Sequence, residues 1–115
     1  MADRLVISVF EVVGSPLCVA SDDGQKVYNR LSIALENKQS VALSFRNISA
    51  LTSAFLNAAV GQLYSQFDEE HIRNLLKVVD MESDDMELLK RVVESAKLYF
   101  RDTQRFEQAI KDELG

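Results

Sequence analysis

Apolar positions along this chain change period several times, and each change marks an element. Residues 4–13 (RLVISVFEVV) carry apolar, mainly β-branched side chains on both alternating sets, Val6, Phe10 and Val12 against Leu5, Ile7 and Val9. That pattern predicts one strand with both faces covered, as in the middle of a sheet. Gly14-Ser15-Pro16 predicts a turn, and Leu17 to Ala20 a short strand, the return arm of a hairpin. Ser21-Asp22-Asp23 offers helix-start side chains. Val27, Leu31, Ala34 and Leu35 follow at helical spacing, which predicts a helix ending near Asn37. Ser40 to Phe45 reads as a second strand and Asn47 to Leu51 as a loop. Thr52 to Phe67 is helical, with Phe55, Ala59 and Leu63 on one line and Leu56, Val60, Tyr64 and Phe67 on the next. Its small residues, Ala54, Ala58, Ala59 and Gly61, predict a close approach to a sheet. A short helix at Asp68–Leu76 and a strand at Lys77–Met81 precede a long helix from Ser83 or Asp84, whose stripe is Leu89, Val92, Val93, Ala96 and Phe100. Asp102-Thr103 reads as a second cap, and Phe106, Ile110 and Leu114 as the narrow stripe of a last helix.

The order β-β-α-β-α-α-β-α-α predicts a layered α/β domain with a mainly parallel sheet. Composition fits that reading. The chain has 115 residues of which 47% are hydrophobic, enough for one domain with one core. Residues 1–67 hold five acids and five bases, so the whole net charge of -5 belongs to residues 68–115. One Cys excludes an internal disulfide, and one Cys with one His excludes a four-ligand nitrogen and sulfur zinc site. No apolar run approaches the roughly 18 residues of a membrane span. The start lacks a basic region followed by an apolar one, so a cytoplasmic location is expected. An acidic pI near 4.8 without a basic cluster weighs against nucleic-acid binding.

Catalytic chemistry is sparse. The chain has four glycines and no phosphate-loop, dinucleotide or nucleophile-elbow motif. His71 lies in a short charged helix, and the bland reading of an exposed histidine outweighs a general base. Cys18 sits in the apolar stretch LCVA, where a small core residue outweighs a reactive thiol. Asp22 and Asp23, like Asp84 and Asp85, stand at helix starts, where capping and the helix dipole account for them without a metal. No enzyme, cofactor or metal is therefore expected. The hydroxyl-rich segment from Ser49 to Phe55 is more informative. It joins a predicted strand to a predicted helix, the end of an open α/β sheet where ligands and partners gather. Capping by Thr52 or Ser53 would also account for it.

That strand-loop-helix segment, VALSFRNISALTSAFL at residues 41–56, resembles the central motif of STAS domains, the fold of anti-sigma factor antagonists. Together SDDGQKVY, VALSFRNIS, TSAFLNAAVGQLY and LLKRVVESAKLYF are similar to a small bacterial STAS-like family of unknown function, over residues 4–100. The resemblance implies a mixed, mainly parallel four-stranded sheet with helices packed on it. It divides the chain into a STAS-like domain at 1–102 and a helical tail at 103–115. Because members of that family often stand beside or are fused to histidine-kinase-like ATPases, it also implies a regulatory binding role. On the antagonist pattern, Thr52 stands where Asp would be, Ser53 at the first Ser, Ala54 at the phospho-acceptor and Phe55 at Gly. The usual acceptor hydroxyl is thus missing, leaving Ser53 or Thr52 as substitutes.

Two function classes follow. The first is a non-enzymatic regulatory domain that docks a protein partner, a histidine-kinase-like ATPase, through Asn47, Ser49, Thr52 and Ser53 with Asp22 and Asp23 beside them. The second is a homo-oligomeric assembly protein that pairs through Phe106, Ile110 and Leu114. A small enzyme would need Asp22, Asp23, His71 or Ser53 to converge, and nothing in their spacing requires it.

Overall fold

A computed structural model describes residues 4–114 of the chain, with side chains for residues 4–101. The predicted stripe Phe106, Ile110 and Leu114 lies outside the described side chains. In chain order the elements are β1 (Leu5–Ser8), α1 (Val9–Val13), β2 (Leu17–Cys18), α2 (Ser21–Glu36), β3 (Val41–Ser44), β4 (Ala50–Leu51), α3 (Ser53–Leu56), a π-helical turn (Asn57–Gly61), α4 (Leu63–Gln66), α5 (Glu69–Leu75), β5 (Leu76–Val79) and α6 (Ser83–Leu114).

β3 is the centre of a three-stranded sheet of order β1-β3-β5, parallel throughout. Its four residues, Val41 to Ser44, are all buried. β1 and β3 pair Leu5 with Val41 through Ser8 with Ser44, and β5 continues the register from Leu76 opposite Val41. The core joins this sheet to the helices through Val27, Leu31 and Leu35 of α2, Phe55 and Leu56 of α3, and Leu63 of α4, all without solvent exposure.

Two sequence expectations are corrected here. The sheet has three strands, not four. The fourth candidate, β2, pairs instead with β4 as a separate parallel ribbon. The stretch 4–13 is not one central strand either. It is a four-residue edge strand followed by α1. Ser8 causes the switch, because its Oγ accepts from the Glu11 N–H at 3.2 Å and caps the helix. Gly14, with φ of 80°, closes that helix by donating its N–H to the Phe10 carbonyl at 2.7 Å. A helix between β1 and β2 removes the tight turn that a hairpin needs. The four β-branched or aromatic side chains of α1 look strand-like, yet local capping decides.

The helix expected over 52–67 forms in pieces, with the π turn between α3 and α4. Its small residues approach another helix, not a sheet. Gly24 of α2 lies against Phe55 and Ala58, where a Cβ would meet the Phe55 carbonyl oxygen at 2.5 Å. The break expected at Asp102-Thr103 is absent, since α6 runs through it as one helix.

Candidate functional site

The site is built from two chain segments that meet through backbone carbonyls. After α1, Ser15 turns the chain by accepting the Leu17 N–H on its Oγ at 3.1 Å. The Pro16 carbonyl then accepts from the Ser49 N–H at 2.9 Å, from the Ala50 N–H at 3.3 Å and from Ser49 Oγ at 3.3 Å. Further along, the Cys18 carbonyl accepts from the Thr52 N–H at 3.2 Å. These bonds fix the β2-β4 register, Leu17 opposite Ala50 and Cys18 opposite Leu51. Asn47 makes the bend out of β3 possible, with φ of 68°, a left-handed conformation that Asn adopts more readily than most residues.

Thr52 locks the end of this ribbon to the helix that follows. Its Oγ1 donates to the Val19 carbonyl at 2.7 Å and accepts from the Phe55 N–H at 3.2 Å. Both hydrogen-bonding roles of the hydroxyl are therefore in use. Ser53, the next residue, is exposed on the first turn of α3. It lines an open groove of about 550 Å³ with Ala54 and Asn57 on one side and Leu88, Arg91, Val92 and Ser95 of α6 on the other.

The predicted residues come together only in part. Asn47, Ser49, Thr52 and Ser53 share one loop, and Val19 leads straight into the first turn of α2, which carries Asp22 and Asp23. Neither aspartate caps that helix, whose N-cap residue is Ala20 with no side-chain bond. Asp23 instead pairs with Lys26 at 3.2 Å, and Asp22 is exposed. Asp84 and Asp85 sit in the first turn of α6. Among the described residues no group of three or more His, Cys, Asp or Glu side chains is placed to hold a metal ion.

His71 lies elsewhere. Its Nε2 is 2.9 Å from the Leu35 carbonyl, which can only accept, so Nε2 carries the proton. The ring also stacks on Phe67, with centroids 5.3 Å apart, so His71 ties α5 to the end of α2. Cys18 has no solvent exposure, and burial, with Asp23 nearby, pushes its thiol up to about 11. A thiol in that state is a core side chain, not a nucleophile.

Sequence reasoning missed three contributors to this face. Leu17 and Val19 remain 54% and 47% exposed beside the loop, although the alternation around buried Cys18 would have placed both on the outer side. Arg91 comes from a different element, 38 residues after Ser53, and no local signal ties the two.

The family model described as a STAS-like domain of unknown function matches residues 23–86 of this chain. The matched region takes in α2 from Asp23 onward, β3 and the whole loop from Asn47 to Phe55, and ends just inside α6. No characterised protein sequence and no solved structure shows significant similarity to the chain. Among the described residues no helix is long and apolar enough to cross a membrane.

Proposed function

This chain belongs to the STAS-like domain family of unknown function, and from that premise we propose a non-enzymatic regulatory domain that docks a protein partner. The docking face is the β2-β4 ribbon with the start of α3. Asn47, Ser49 and Ser53 provide its polar positions, Leu17 and Val19 its apolar ones, and Asp22 its margin. The partner class is a histidine-kinase-like ATPase. One observation carries the reading. Two half-exposed aliphatic side chains, Leu17 and Val19, stand at a ribbon held in place by the Pro16 and Cys18 carbonyls, next to a hydroxyl that has no structural duty. Apolar side chains held rigidly among polar ones are what a protein interface requires of its central contacts.

Ser53, not Thr52, is the acceptor if the partner phosphorylates this face, because the Thr52 hydroxyl is committed on both sides. A phosphate on Ser53 would add about -1.5 to -2 charge at a helix start, with Arg91 across the groove to receive it.

The test is co-purification of the full chain with a histidine-kinase-like ATPase from the same genome. Leu17→Lys and Val19→Lys are expected to abolish capture while leaving the fold intact. Capture that survives both substitutions overturns the docking face. Incubation of the pair with ATP, read by mass spectrometry, addresses Ser53 separately. No phosphate on residues 49–53 removes the switch and leaves docking standing.

A further inference from the structure

We propose that two copies of this chain pair through their β1 edges, antiparallel and about a two-fold axis, so that two three-stranded sheets become one. β1 bonds to β3 on one side, and among the described residues no strand covers its other side. Natural sheet edges are usually guarded by Lys, Pro, a bulge or a covering element. The four residues of β1, Leu-Val-Ile-Ser, contain no such guard, and Val6 is 64% exposed.

The edge also opens a cavity of about 490 Å³. It is lined by all of β1, by Glu11 and Val12 of α1 at one end, and by Arg30 and Ile33 of α2 along its side. Ile33 is 60% exposed although it sits on the sheet-facing helix, so an apolar helix face and an apolar strand edge both end in solvent at the same place. β5, the opposite edge, presents Lys77, and its Leu76 and Val78 line a cavity with Leu89 and Val93 of α6. The two edges are therefore unlike, and repeated head-to-tail stacking of sheets is disfavoured relative to closure of β1 on itself.

Charge selects the occupant and its direction. Arg4 precedes β1 at its N-terminal end, and Glu11 stands just beyond its C-terminal end. Both are exposed, and neither is in an ion pair among the described residues. Antiparallel pairing sets the Arg4 end of each strand against the Glu11 end of the other, twice per dimer. Parallel pairing would bring Arg4 to Arg4. A two-fold axis through the β1-β1 junction also places both α2 helices on one face. The two Ile33 side chains then close over the cavity.

This surface is distinct from the ribbon face and from the C-terminal helix. The experiment is a sedimentation series on the full chain across protein concentration. A reversible dimer is expected. Val6→Lys weakens it by about a hundredfold or more, because each copy would bring an unpaired charge into the junction. Ile33→Glu, on an exposed helix position that does not endanger folding, does the same. Arg4→Glu and Glu11→Arg each weaken the dimer, and the doubly exchanged chain recovers it. A chain that is monomeric at every concentration overturns the proposal. So does a dimer that persists in both Val6→Lys and Ile33→Glu, which would assign pairing to the C-terminal helix. Failure of the double exchange to recover association overturns the antiparallel arrangement.

Discussion

Gly24 of α2 and Phe55 of α3 touch backbone to backbone. A Cβ on Gly24 would stand 2.5 Å from the Phe55 carbonyl oxygen and 2.8 Å from the Ala58 Cβ. In a helix without neighbours, Gly to Ala stabilises by up to about 1 kcal/mol. Here the obstacle is backbone, which cannot swing aside, so overpacking of about 1–3 kcal/mol decides the sign. Gly24→Ala is expected to lower stability in urea unfolding, and Gly24→Val to lower it further. Unchanged or raised stability would mean that α2 and α3 can separate without loss.

The two adjacent hydroxyls of the candidate site should separate cleanly. Thr52→Ala removes the cap of α3 and leaves the Val19 carbonyl without its donor, a loss of about 0.5–2 kcal/mol. Thr52→Ser keeps the oxygen and should recover most of it. Ser53→Ala removes an exposed hydroxyl and is expected to stay within about 0.5 kcal/mol of the native chain. Thermal unfolding of the three variants checks this. Equal losses at 52 and 53 would withdraw the assignment of Ser53 as the available hydroxyl.

Gln66 of α4 holds α2 from the side. Its Oε1 accepts from the Tyr28 hydroxyl and from Ser32 Oγ, and its Nε2 donates to Glu36 at 2.7 Å. Ser32 is buried, so its hydroxyl has no water to fall back on. Gln66→Met keeps the length of the side chain and removes all three bonds. The expected loss is about 1–3 kcal/mol, larger than the exposed position of Gln66 would imply, because Ser32 is left buried without a partner. Adding Ser32→Ala to Gln66→Met should then cost less than Ser32→Ala costs alone, the sign of a shared bond in a double-mutant cycle.

Local signals in the sequence were readable, and pairings between distant segments were not. The spacing of Val27, Leu31, Ala34 and Leu35 located α2, and the apolar run around Leu43 located β3, because burial writes directly into those side chains. A cap at Thr52 or Ser53 was visible, and the fold selects Thr52. α1 was hidden because Val9, Val12 and Val13 favour a strand, while the counter-signal is a single serine three residues before a glutamate, Ser8 and Glu11. The β2-β4 ribbon was hidden for another reason. It is held by the carbonyls of Pro16 and Cys18 with the N–H groups of Ser49, Ala50 and Thr52, and the backbone is the same whatever the side chain. The candidate site shows the same division. Its hydroxyl loop was legible as one segment, whereas Leu17, Val19 and Arg91 join it only through the fold.

Cys18 gives the remaining prediction, and its sign follows from burial. The thiol is raised from 9.0 to about 11, first by burial and then by Asp23. A thiol must become thiolate to react, and a rise of this size leaves about a hundredfold less thiolate at mildly alkaline pH. The folded chain should therefore react with an aromatic disulfide reagent at least about a hundredfold more slowly than the urea-unfolded chain. The same shift is linked to stability. The neutral thiol is favoured in the folded state, so this contribution is complete below the unfolded value of 9.0 and is lost as pH rises towards about 11. Stability of the native chain should fall across that window more steeply than that of Cys18→Val, which keeps a small apolar side chain and has nothing to titrate. Parallel curves for the two chains would place the Cys18 thiol in contact with water.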